Sequence, residues 1–354
     1  MMSYGRHLAS FASEVYADRV MEPVSGKVHV GGAMMAAVRN SHRTSDNKTV
    51  AQLRAMFFAQ TLAEVAGFAP TGPAITHWGN IWWATHTGHT VPIPLNHKWA
   101  EYLTGRLPHS TLRAALIKDF PILQTVLDDP LWPLLQRLLQ PQENTGCWAL
   151  QLRLNGQGFH FFSEGRLARL CGVPNWRRLA GLLALLGSRR TEHHWSQVWL
   201  RGVFTDYVLC ACLDLPGRIA PLDLYLILEE AQCQGKFGRV SDWPNTRVSF
   251  QHQLVRFQRF QRRLQARGWL RGWGPCERLL FWRLQGNRNS LARLLCSVPT
   301  AELTRGDVVR QLRHWLRQAQ RDQLSFAEAQ PGACTRGAPK RGHMQPFAWS
   351  LPWS

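Results

Sequence analysis

The sequence predicts a mainly helical chain with small β hairpins, an α+β protein with a mostly helical N-terminal domain and two smaller modules behind it. Three observations point there. Apolar residues recur at helical spacing through most of the 354 residues. Strand-like alternation is confined to short stretches around Asn155-Gly156 and Gly272-Trp273-Gly274, each a turn signal. The balance of charge also changes character near residue 150. The expected divisions are 1–140, 147–218, 219–298, a basic helix in 299–330 and a disordered Gly- and Pro-rich tail at 331–354.

The N-terminal part opens with few periodic signals. From Thr49 a helix is expected, because Val50, Leu53, Phe57, Leu62 and Val65 recur near helical spacing. Gly67 to Pro94 is interrupted by Gly and Pro and reads as loop or short strands carrying Trp78, Trp82 and Trp83. That aromatic stretch is a candidate lining for a small-ligand pocket, although a core role is the simpler reading. Residues 97–140 read as helices in pieces, punctuated by prolines, with Ser110 as the N-cap of Thr111–Asp119.

Pro141 to Gly146 is a turn-rich linker. Trp148 to Leu154 alternates like a strand, Asn155-Gly156 signals a hairpin, and Gly158 to Phe162 is the return strand. Beyond it, Leu167-Ala168 and Gly172-Val173 match the first helix and turn of a helix-turn-helix. Ala168 would sit where the helices cross, Gly172 would take the turn, and Asn175 to Arg178 would open the second helix. The buried β-branched position of such a second helix falls on Arg178. Two core helices with a Gly-Val-Pro corner are the plain alternative.

A third helix is expected over Pro221–Cys233, with Pro221 at N1 and Asp223 in the first turn. A short element follows near Val240–Trp243. Phe250 to Arg267 then places Phe250, Leu254, Phe257 and Leu264 on one stripe, with Phe260 at its edge. Its other faces carry Gln and Arg and no acidic residue. Gly268 suits a helix end, Trp269–Arg271 and Arg278–Leu284 read as strands, and Gly272–Pro275 as the turn between them. Asn289 or Ser290 caps a short helix to Cys296, and Thr304–Asp307 opens a basic helix holding Arg310, Arg313, Arg317 and Arg321.

The chain carries 42 Lys and Arg against 23 Asp and Glu, a formal net charge of +19. Such an excess calls for a polyanionic partner. A chain rich in Arg can also reflect genomic composition, but composition does not decide where the charge lies. Residues 1–150 hold 12 basic and 10 acidic residues, and residues 151–354 hold 30 and 13. The densest part is the Phe250–Arg267 helix. Arg presents a planar fork to guanine edges and phosphate, and Gln matches adenine. A merely solvated face interleaves both signs, which this one does not. The candidate contacts are therefore Gln253, Arg256, Arg259, Arg262, Arg263 and Arg267, joined by Arg271 and Arg278 beyond the helix. Arg166, Arg169, Arg177, Arg178, Arg189 and Arg190 form the matching basic set of the first module.

No catalytic residue, metal site or cofactor is expected. His77, His86, His89 and His97 have no Cys, Asp or Glu among them, and the eight cysteines contain no C-x2-C pair. No Walker-type loop and no acidic cluster for two-metal chemistry occurs. Tyr207 beside Asp206 lacks the histidines that a covalent tyrosine would need. No run of 18 apolar residues exists, so no spanning helix is expected, and the basic helix lacks the wide apolar face flanked by lysines that a membrane-surface partner would call for. The chain start lacks a secretory pattern, and reduced cysteines in a cytoplasm are the default.

Helix, then Arg-Gly-Trp-Leu, then a hairpin is the order in which a winged-helix domain runs from recognition helix to wing. With Leu167-Ala168…Gly172-Val173, this gives two winged-helix-like modules, near 153–200 and 219–285. In tandem they resemble prokaryotic plasmid replication initiator proteins. The resemblance implies sequence-specific binding of duplex DNA at origin repeats, with no catalytic activity. A transcriptional regulator with a sensing or dimerising domain in 1–140 is the first alternative. A non-catalytic RNA-binding subunit of a nucleoprotein complex, such as an RNA-guided effector, is the second. The expected partner is nucleic acid, duplex DNA before RNA, in a homodimer or larger nucleoprotein assembly.

Overall fold

The computed structural model describes residues 34–88, 98–214, 220–266, 268–286, 317–318 and 320–326, with side chains from residue 49 to 284 and from 317 to 326 within those ranges. The chain divides into two compact units, Met1–Arg43 and Thr44–Ser354. The first is described only where a helix begins, and everything below concerns the second.

The chain is mainly helical. In order come α1 (Met34–Ala66), α2 (Gly72–Thr87), α3 (Lys98–Tyr102), α4 (Ser110–Asp119), α5 (Ile122–Leu127), α6 (Leu131–Leu139) and α7 (Gly146–Gln151). A hairpin follows, β1 (Leu152–Leu154) and β2 (Gln157–Gly158), then α8 (Glu164–Cys171) and α9 (Trp176–Leu186). After a 3-10 turn at Thr191–His193 come α10 (His194–Ala211), α11 (Pro221–Cys233), α12 (Arg247–Ala266) and α13 (Pro275–Gly286). The last described element is β3 (Leu324–Phe326).

Helix α1 serves two cores. Phe58, Ala59 and Leu62 join a smaller cluster with Ile75 of α2, Trp99 and Tyr102 of α3, and Leu112, Leu116 and Leu123 from α4 and α5. Val50, Leu53 and Phe57 join the main cluster, which continues without interruption through α6 to α13 and reaches Leu324. At its centre is α9, whose residues are buried on every side except at Arg177. An apolar helix with no solvent face is a core helix, and α6, α7, α8 and α10 pack around it. The expected divisions near 140 and 218 thus fall inside one continuous core.

Several elements differ from expectation. The stretch read as loop at Gly67–Pro94 contains α2, a 16-residue helix. Pro73 is accepted in its first turn, and Gly88 ends it in the left-handed region at φ 72°. Gly79, which counted against a helix, is needed there because the Trp99 indole lies where its Cβ would be. Helix α4 starts at Ser110, and the cap is His109, whose Nδ1 accepts from the Leu112 amide at 3.3 Å. Of the expected Trp148–Leu154 strand only β1 is extended, since α7 occupies the residues before it. The Asn155-Gly156 turn is present, with φ of 53° and 77°. β3 pairs antiparallel with the other edge of β1, so Leu152 faces Phe326 in a sheet ordered β2-β1-β3. It falls in the segment read as a C-terminal basic helix.

The largest correction concerns the wing. Arg278–Leu284, expected as its second strand, lies in α13. Leu279, Leu280, Phe281 and Leu284 supply the buried face. A four-residue apolar run has no period of its own, and the core selects a helix there. The Val240–Trp243 segment is a turn with Asp242 at φ 53°. Its Trp243 donates to Glu229 Oε2 at 2.5 Å and stacks on Tyr225 at 5.8 Å. The start of the chain, His89, His97, Arg267, the cap at Asn289 or Ser290, the start of the Thr304 helix and the tail lie outside the described residues.

Candidate nucleic-acid interface

The face of α12 is set by its ends and its buried side. The Thr246 hydroxyl accepts from the Ser249 amide at 3.1 Å and caps the first turn. At the other end Gly268 is left-handed at φ 72°, and the Trp269 amide returns to the Leu264 carbonyl at 2.9 Å. Phe250, Leu254 and Leu264 are buried as the periodicity predicts. Phe250 stacks on Tyr225 of α11 at 4.7 Å, and Phe257 and Phe260 meet Phe281 of α13 at 5.8 and 5.2 Å. Gln261, read as a surface residue, is buried beside them. The helix is thus held along its whole length from one side.

The opposite side is basic. Arg256, Arg259, Arg262 and Arg263 are exposed. His252, Arg256, Arg259 and Arg263 fall on a single stripe, and successive arginines on it are about 4.5 and 6 Å apart along the axis. Among the described residues, none of these four guanidiniums has a hydrogen-bond or ion-pair partner. No carboxylate occurs on α12. Gln253 is half-buried at the edge of the face, and Arg271 is exposed just past the helix. Arg247, at the first position of α12, extends the face and was not among the expected contacts. A cation there adds its charge to the positive end of the helix dipole, and both favour an anion.

The first-module set is arranged differently. Arg178 is buried. Its guanidinium donates to the carbonyls of Arg169 at 2.7 Å and Leu170 at 3.0 Å, capping the C-terminal end of α8, and to the Asp322 carbonyl at 3.4 Å. Gly172, at φ 43°, leaves the room, since a Cβ there would meet the Arg178 guanidinium at 2.7 Å. Arg169 pairs with the buried carboxylate of Asp322, a hydrogen bond that raises the Arg169 pKa. Arg166 lies 4.8 Å over the Phe159 ring and donates to the Gln157 carbonyl at 3.0 Å, and burial pulls its pKa down. Arg177 donates to Thr125 Oγ1 at 3.0 Å, Arg190 grips Glu192 at 3.0 and 3.3 Å, and Arg278 pairs with Asp214. Only Arg189 of the six first-module residues stands exposed without such a contact. Two consecutive helices, α8 and α9, stand where the helix-turn-helix was expected, and the second of them is in the core and presents no reading face.

Tyr207 and His193 lie in the interior. Tyr207 is buried, donates to the Cys171 carbonyl at 3.2 Å, and has its pKa pushed far up by burial. His193 is buried with Nδ1 2.9 Å from Ser188 Oγ, and burial lowers its pKa. Both side chains are fully buried. Among the described residues no group of three or more His, Cys, Asp or Glu could hold a metal ion. The aromatic stretch does line a groove of about 470 Å³, between Phe68, His77, Trp78, Ile81 and Trp82. No described helix is long and apolar enough to cross a membrane. No protein-family model matches the chain, and neither a curated protein nor a solved structure does.

Proposed function

We propose that the chain is a non-catalytic nucleic-acid-binding protein that docks the exposed face of α12 on duplex DNA. One observation carries this reading: Arg256, Arg259, Arg262 and Arg263 stand exposed on an acid-free helix with no intramolecular partner among the described residues. Unpaired guanidiniums in a row repel one another, and a polyanion relieves that cost through phosphate contact and counterion release. Gln251, Gln253 and Gln265 supply neutral donors and acceptors for base edges beside them.

Binding of repeated sites at a replication origin is the physiological setting we favour, and regulation of transcription is the next. The tandem winged-helix form of the reading is weakened, because α13 replaces the wing and α9 is buried. The interface is therefore one helix buttressed by α11 and α13. An RNA-binding subunit remains the second reading, favoured by the same loss of the wing, since an arginine-lined helix without one suits RNA as well.

The test uses the full chain, because residues from α1 and α6 share the core with β3. Titration of labelled duplex DNA at rising salt is expected to show log-linear loss of affinity. Absence of duplex binding at low salt overturns the proposal. Tighter binding of structured RNA in competition transfers it to the second reading. A footprint over several direct repeats supports an origin, and a single palindrome supports a regulator.

A further inference from the structure

The outward ridge of α12 changes character along its length. At about 100° per residue, Val248, His252, Val255 and Arg259 fall within a sector of roughly 60°. That sector lies opposite Phe250, Leu254, Phe257, Gln261 and Leu264, so it is the line of the helix farthest from the core. Val248 is 60% exposed, His252 and Arg259 are exposed, and Val255 is half-buried. Gln251 is exposed on the flank, three residues after one valine and four before the other, and so beside both. Arg256, Arg259, Arg262 and Arg263 all follow Val255. Ahead of them the outward side carries only Arg247 and the imidazole of His252. No carboxylate occurs in the chain between Asp242 and Glu277.

Charge attraction alone does not call for valine on this ridge. A β-branched side chain lowers helix propensity, and an exposed one leaves apolar area in water. The arginines serve phosphate contact, whereas a helix laid in a major groove brings its outermost line to the base edges. There the groups on the first half of α12 match one kind of base pair. An apolar side chain suits the thymine methyl, and Gln bonds adenine at N6 and N7. Val248, Gln251 and Val255 are contiguous, and all three fit A·T. Arginine, the usual partner of guanine, is absent from residues 248–255. RNA fits this ridge poorly, because its major groove is too narrow to be read and uracil carries no methyl group.

We infer that the first half of α12 reads A·T pairs through thymine methyl groups. Val248 is the leading contact, Gln251 takes adenine, and the arginines that follow hold phosphates. The inference rests on the reading that α12 docks on duplex DNA and adds the class of base pair it selects.

The experiment selects duplexes with the full chain from a pool with a random core. The enriched duplex is then remade with deoxyuridine in place of each thymidine in turn, which keeps the pairing and removes only the methyl group. A·T pairs are expected to be enriched. At one or more thymines the replacement should weaken binding about four-fold, the worth of one buried methyl group. That comparison needs no altered protein. Val248→Ser, at an exposed position, should keep the thermal melt of the parent and bind the two duplexes equally well. Binding without enrichment, enrichment of G·C pairs alone, indifference of the parent to every deoxyuridine, or discrimination that survives in Val248→Ser overturns this inference and leaves duplex docking standing. Failure of the parent to bind the pool at low salt overturns both.

Discussion

The guanidinium of Arg178 donates to the backbone carbonyl of Arg169 at 2.7 Å, while the guanidinium of Arg169 turns outward to the carboxylate of Asp322. Two arginines that sequence places on a basic surface are thus tied into the join between α8, α9 and the strand that follows Asp322. Asn155 also donates to Asp322, at 3.0 Å, and accepts from the Gln323 amide at 2.8 Å. Asp322→Ala removes the partner of a half-buried cation and should destabilise the chain by about 3 kcal/mol. Chemical denaturation of the full chain measures it. A loss below the scatter of surface substitutions would mean that the join contributes little.

Asp129 tests the electrostatics of the N-terminal helices. Burial raises its pKa to about 6, against a Leu131 amide that donates to Oδ1 at 2.9 Å and the Arg177 charge. Because the folded value is raised, the stabilisation of the neutral carboxyl is full below about pH 4 and is lost as pH rises through about 6, up to ~3 kcal/mol in all. Asp129→Asn keeps the acceptor and cannot ionise. Its stability relative to the parent should therefore climb between pH 4 and pH 6 and level off above. Parallel pH profiles for the two proteins would contradict the assignment.

Gly79 tests the smaller core. A methyl group there overlaps the Trp99 indole, so Gly79→Ala must displace α3 from α2. A cost of about 1–3 kcal/mol is expected, despite the better helix propensity of alanine. Stabilisation on substitution would show that α2 and α3 do not pack this closely in solution.

The α12 face gives the functional prediction. Replacing Arg256, Arg259, Arg262 and Arg263 with Gln should leave the thermal melt near that of the parent, because all four are exposed. The slope of log affinity against log salt for duplex DNA should fall by up to about four units. An unchanged slope with unchanged affinity moves the interface away from α12.

Legibility in the sequence followed the physics of each segment. Helix α12 was readable because one stripe is apolar, the rest is polar, and Gly268 closes it. Helix α11 was readable from Pro221 and its apolar run, and the β1–β2 turn from Asn155-Gly156. The second strand of the wing was not, since Leu279-Leu280-Phe281 is apolar in any period and only the core decides between strand and helix. Helix α2 was hidden in part by Gly79, whose role is set by a distant neighbour, Trp99. The basic candidates divided on the same ground. Those on α12 have no acid within reach along the chain, whereas the partners of Arg169 and Arg278 are Asp322 and Asp214, far away in sequence. Local pattern carries no sign of such partners.

The position of β3 bears on how the chain reaches its final form. Leu324 pairs with Leu154, and Asp322 with Arg169 at a separation of 153 residues. Contacts that distant close late, because the entropy of the intervening loop must be spent before they form. During synthesis α8 and α9 leave the ribosome long before Asp322 does. Until then one edge of β1 stays unpaired and Arg169 lacks its counter-charge. A chain truncated before these residues would leave that strand edge unpaired and open to pairing with another chain.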